Sequence, residues 1–161
     1  MTTPGTRSRF VVRCAVIAVV GAVFVAPSVQ ARPHLPAARP PGPIELRDKM
    51  LAIVNRSRMN HGLPGLRPDA NLCVEALGHT RKMAEEDRLF HTPGLAVLIT
   101  EAGGTAFGED LGKGRGLLGI RDAWLEHPDT RLILLDPRFR RAGLGVLHLD
   151  GFYWVTLQAF N

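Results

Sequence analysis

Cysteine, serine and lysine are scarce in this 161-residue chain, and each scarcity removes a class of function. There are two cysteines, Cys14 and Cys73, and Cys14 lies in an N-terminal segment that reads as removable. Without Cys14, Cys73 has no intramolecular partner, so stability must come from a hydrophobic core rather than from disulfides. Cys73 lies beside Leu72 and Ala76 on an apolar helical face and reads as a small buried hydrophobe, not a catalytic thiol. Beyond residue 31 the one serine is Ser57, inside the first expected helix, and no Gly-x-Ser-x-Gly occurs. Covalent hydrolysis therefore has no serine or cysteine on a sharp turn to use. Lysine appears only as Lys49, Lys82 and Lys113, and no basic cluster interleaves with aromatics, which argues against nucleic-acid binding.

The first 31 residues have the form of an export signal. Arg7, Arg9 and Arg13 precede an uncharged apolar run from Cys14 to Ala26, and Val29-Gln30-Ala31 offers small residues for cleavage after Ala31. The run between Arg13 and Pro27 is shorter than the roughly 20 apolar residues of a membrane span. An uncleaved anchor is the alternative, and membrane contact is expected only through this segment. The formal net charge of +5 falls to +2 once the three leader arginines are removed. Residues 32–43 carry five prolines and no apolar periodicity, as a tether would. Residues 44–161 are expected to fold as one domain, a length sufficient for a proper core.

Within the domain, Leu46, Met50, Ile53 and Val54 recur at helical spacing, with Gly62 as a stop. Asp69 is a natural cap for a second helix whose buried face is Leu72, Cys73, Ala76, His79, Thr80 and Met83. From Phe90 to Gly116 the glycines suggest loop, with a short ordered turn or helix from Ala96 to Thr100. A third helix presents Leu117, Ile120 and Trp124 and ends before Pro128. Asp129 is expected to cap a short turn through Leu135. Asp150-Gly151 is a two-residue hairpin signal that sets Leu149 opposite Phe152, His148 opposite Tyr153 and Leu147 opposite Trp154. Both faces of that hairpin are mainly apolar, so helices should cover both sides. The expected fold class is α/β, a three-layer α/β/α sandwich with a mainly antiparallel sheet.

The series Leu89-Phe90-His91-Thr92, Gly108-Glu109-Asp110-Leu111-Gly112, Ala123-Trp124, Leu134-Leu135-Asp136-Pro137-Arg138-Phe139, Gly143-Leu144-Gly145-Val146 and Tyr153-Trp154 resembles the bacterial branch of the CAP family. Asn55-Arg56-Ser57-Arg58 with Gly62-Leu63-Pro64 extends the likeness, which covers about Leu46 to Phe160. The resemblance implies an α/β/α sandwich, extracellular placement and a cleft holding up to two histidines and two acidic residues. His91 and Glu109 match the family's first histidine and its Gly-Glu-Asn glutamate. The rest of the polar set departs from the pattern. Thr130 stands where many bacterial members have histidine, and Ile133 where asparagine is usual. His127, next to Glu126, stands where eukaryotic members have their second glutamate.

The candidate cleft residues are therefore His91, Glu109, Glu126 and His127. A histidine paired with a carboxylate can hold a proton, orient water or bind a metal. A metal with one open position needs about three protein ligands, which His91, Glu109 and His127 would supply to zinc or another divalent cation, with His79 a distant fourth. Three functions follow as expectations: an exported non-catalytic domain binding a small lipid, peptide or envelope ligand; a metal-assisted hydrolase with Glu109 or Glu126 as base; or a structural module of the cell envelope.

Overall fold

The computed structural model describes residues 39–161, so the expected leader and most of the expected tether lie outside the described residues. Helix α1 (Pro43–Asn60) begins one residue before the expected domain start, with Gly42 as N-cap and Pro43 in its first turn, where a missing N–H costs nothing. It ends just before Gly62, which adopts a φ of +71°. Strand β1 (Arg67–Pro68) follows, positioned by Asn55, whose side chain donates to the Leu66 carbonyl at 3.0 Å and accepts from its N–H at 2.7 Å. Helix α2 (Ala70–Glu85) is capped by the Asp69 carboxylate, which accepts from the Leu72 N–H at 3.0 Å. Its buried face is the expected one, from Leu72 through Met83. Cys73 is a free, buried thiol among these side chains.

After α3 (Leu95–Glu101) the chain departs from expectation. The glycine-rich segment is not loop: Phe107–Gly114 forms strand β2, paired along all eight residues with the last strand. The reason is steric. Gly108 and Gly112 lie on the face covered by helices α4 (Leu117–Glu126) and α5 (Pro128–Leu134), and a Cβ at Gly112 would overlap Ile120. The glycines are there so that helices can sit against the backbone, not so that the chain can turn. The cap of α5 also differs: His127, not Asp129, is its N-cap residue, and Asp129 lies in its first turn.

Strands β3 (Arg141–Leu149) and β4 (Phe152–Phe160) form the expected hairpin in the expected register, with Asp150 and Gly151 both at positive φ. The sheet order is β1-β3-β4-β2, and it is mixed: β1 runs parallel to β3, while the other pairings are antiparallel. Helices α1, α4 and α5 bury Leu46, Met50, Val54, Ile120, Trp124 and Leu134 against Leu144, Val146, Val155 and Leu157 on one face. On the other face Met83 of α2 packs on Trp154, and Leu72 joins Ile99 of α3 and Phe160. The architecture is thus a three-layer α/β/α sandwich.

Helix α2 lies so near β3 that a Cβ at Gly145 would overlap the Ala76 carbonyl. Because the obstacle is backbone, it cannot be relieved by a rotamer change. Gly145→Ala is therefore expected to cost about 3 kcal/mol, the upper range for overpacking, and to lower the melting temperature by about 10 °C in calorimetry. One further buried group joins the layers: Arg58, fully buried at the end of α1, donates to the carbonyls of Pro64, Leu134, Asp136 and Phe139.

Candidate functional site

Strand alternation places Glu109 and Asp110 on opposite faces of β2, and their environments differ accordingly. Glu109 points to the α2 side, where Gln158 of β4 is its cross-strand neighbour. Its carboxylate is almost fully buried, with 4% of the side chain exposed, against 77% for His91. One oxygen, Oε2, accepts from His91 Nδ1 at 2.7 Å and from the Thr92 N–H at 2.9 Å. The other, Oε1, accepts from Thr92 Oγ1 at 2.5 Å and from Gln158 Nε2 at 3.3 Å. Gln158 Nε2 also donates to Thr92 Oγ1 at 2.9 Å. Each carboxylate oxygen thus has two donors, which is close to its full capacity.

This geometry assigns the imidazole tautomer. An ionised carboxylate only accepts, so Nδ1 of His91 carries the proton and Nε2 of the neutral ring is left facing outward with a lone pair. That nitrogen can take up a proton or ligate a metal. The segment before it is fixed by His79, which is buried, contacts the Phe90 carbonyl through Nε2 at 2.6 Å and meets the Phe90 ring edge-on at 4.9 Å.

The remaining sequence candidates do not join this cluster. Glu126 and His127 are exposed at the junction of α4 and α5. The His127 backbone N–H bonds the Ala123 carbonyl, and its carbonyl accepts from the Arg131 N–H. Thr130, in the place of a histidine, closes the same junction by donating to the Trp124 carbonyl at 2.9 Å. Among the described residues no three His, Cys, Asp or Glu side chains are placed to hold a metal ion. The expected His91, Glu109 and His127 set therefore does not fit zinc: Glu109 has its lone pairs engaged, and His91 Nε2 is a single ligand where about three are required.

Thr92 and Gln158 are the partners that sequence reasoning missed. Their signal was the strand pairing: once Phe107–Gly114 is read as a strand against β4, Glu109 falls opposite Gln158.

Asp110 points the other way, into the core beneath α4 and α5. It is fully buried, and neither carboxyl oxygen has a hydrogen-bond partner among the described residues. Burial, and secondarily the neighbouring Glu109 charge, pushes its pKa up to about 8.

Glu109 of the edge strand β2 and His91 of the segment before α3 thus meet on one face of an α/β/α sandwich. The family model described as the cysteine-rich secretory protein family, CAP, matches residues 51–158, and the chain belongs to that family. The comparison with curated proteins finds no significant match. Among solved structures, an outer surface protein of Borrelia burgdorferi superposes with a TM-score of 0.62 at 18% identity, covering 71% of this chain and 90% of that one. An extracellular SCP-domain protein of Bacillus anthracis gives 0.58 at 23% identity over 77% of this chain and 45% of that one. A cysteine-rich secretory protein of Staphylococcus aureus gives 0.58 at 15%, covering 72% and 39% respectively. At these identities the likeness is one of fold.

Proposed function

We propose that this chain is an exported CAP domain that acts as a binding module at the cell envelope or outside it, taking a small lipid, peptide or other amphiphilic ligand without catalysing its turnover. The observation that carries this reading is the saturation of Glu109. Its four donors come from His91, Thr92 and Gln158, so the carboxylate fastens the 91–92 segment to the sheet instead of activating water. Ser57, the one serine beyond residue 31, is buried and donates to the Ile53 carbonyl four residues back. Export is supported by the basic-then-apolar start of the sequence. It is also supported by fold relatives described as outer-surface and extracellular proteins. Among the described residues no helix is long and apolar enough to cross a membrane.

Solvent extraction and mass spectrometry of the natively secreted protein test this reading. A stoichiometric co-purifying amphiphile is the expected result, and repeated recovery of empty protein counts against it. A zinc titration tests the rival hydrolase. Stoichiometric zinc uptake abolished by both His91→Ala and Glu109→Gln, accompanied by hydrolysis, would overturn the binding module.

A further inference from the structure

A groove of about 450 Å³ runs along the start of α4 where β2 ends, within the size range of small-molecule sites. Its apolar walls are Leu89, Leu111, Ile120, Ala123 and Trp124. The indole of Trp124 is held in place by donating to the Leu111 carbonyl at 2.7 Å. Gly116 and Gly119 contribute bare backbone, and a Cβ at either would meet nothing within 4 Å. An apolar chain can therefore lie against the main chain there. Leu89 is 44% exposed and begins the segment that leads to His91, so the groove adjoins the fastened loop.

Two cations border this groove, and they differ in commitment. Lys113 is paired with Asp87 and lies over the Trp154 ring at 4.5 Å. Arg115 stacks over Phe152 at 4.9 Å and, among the described residues, has no carboxylate within ion-pair distance. The stacked guanidinium is thus pre-oriented but electrostatically unanswered, and it borders an apolar trough with no anion of its own.

We propose that this groove binds an anionic amphiphile, with the apolar chain on Leu89, Leu111 and Trp124 and the anionic head on Arg115. The assignment rests on the binding-module reading and gives it a location and a ligand class. A neutral lipid leaves the guanidinium without a counter-charge, and a small inorganic anion leaves the apolar trough unused.

Decanoate is the probe, followed by amide chemical shifts of the purified protein. Saturable shifts centred on Leu111–Ala123 and Leu89 are expected. Arg115→Gln should weaken decanoate about fivefold, the scale of an exposed charge contact, and decanol should bind more weakly by a similar factor. Gly119→Leu should block binding while keeping or raising helix stability, because it replaces a helical glycine facing open space. Unchanged affinity in Arg115→Gln overturns the head-group assignment. Shifts centred instead on the Pro128–Arg138 trough or on the groove between α2 and α3 overturn the location but leave the binding-module reading standing. Absence of saturable decanoate binding to any surface overturns this proposal. Together with empty protein from native secretion, that result overturns the binding-module reading as well.

Discussion

Arg58→Met is expected to lower the stability of the fold by about 4 kcal/mol and leave a folded variant that melts far below wild type. The guanidinium reaches Pro64 O at 3.0 Å, Leu134 O at 2.8 Å, Asp136 O at 3.2 Å and Phe139 O at 3.0 Å. It thereby joins the end of α1 to the turn before β1, the end of α5 and the entry to β3. Methionine fills similar space but donates nothing, so buried carbonyls lose their donor while the surrounding fold stays unchanged. Removing one side of a buried charged network costs about 4 kcal/mol, out of a total stability of roughly 5–15 kcal/mol for a domain. Burial lowers the proton affinity of Arg58, helped by the Arg140 charge and opposed by Asp136, yet guanidinium stays protonated throughout the neutral range. Arg58→Lys keeps the charge with fewer and differently directed donors, and should melt between wild type and Arg58→Met. Denaturant titration checks the series, and a Met variant as stable as wild type would remove Arg58 from the account of the fold.

Asp110→Asn is expected to reshape the pH dependence of stability. In the unfolded chain Asp110 releases its proton near 3.8, whereas in the folded protein burial holds it to about pH 8. Between these values the native state binds the extra proton, so stability falls as pH rises through the window and levels off above it. The full effect is of the order of 5 kcal/mol. Asparagine cannot ionise, so the variant should lose this slope and be several kcal/mol more stable than wild type at pH 9. At pH 5 ionisation of the unfolded chain already costs the wild type about 1.6 kcal/mol, and the unpaired amide donors cost the variant about as much in an apolar site, so the two should differ little there. Asp69, held below the usual carboxylate range chiefly by the Leu72 N–H and also by Arg141, titrates outside this window, as does Asp136 beside Arg138. Chemical unfolding at pH 5, 7 and 9 provides the check. Parallel profiles for wild type and variant would show that the carboxyl is hydrated or paired in solution.

The contrast between these two residues and the hairpin shows what sequence reading can reach. Asp150-Gly151 requires a particular turn, alternation fixes the register beside it, and the pairing of Leu147 with Trp154 follows from local rules. The buried face of α2 and the Asp69 cap are legible for the same reason. Strand β2 was hidden because its glycines serve contacts with Ile120 and Ile133, which belong to helices further along the chain. Arg58 was invisible because its partners are main-chain carbonyls of loops, which carry no side-chain signature. Of the candidate site, His91 and Glu109 were legible as a pair from family resemblance. Thr92 and Gln158, which decide what that pair can do, depend on a strand register that the glycines disguised.

Whether Glu109 is a fastener or a reagent is decided most directly by the melting temperature and decanoate affinity of Glu109→Gln. Exchanging one acceptor oxygen for an amide group removes the charge and sets donor against donor at His91 or Thr92. The expected loss is about 3 kcal/mol, a fall of roughly 10 °C in melting temperature, with decanoate affinity retained at a temperature where the variant is folded. A variant that melts with wild type but loses stoichiometric metal binding or hydrolytic activity would contradict the account.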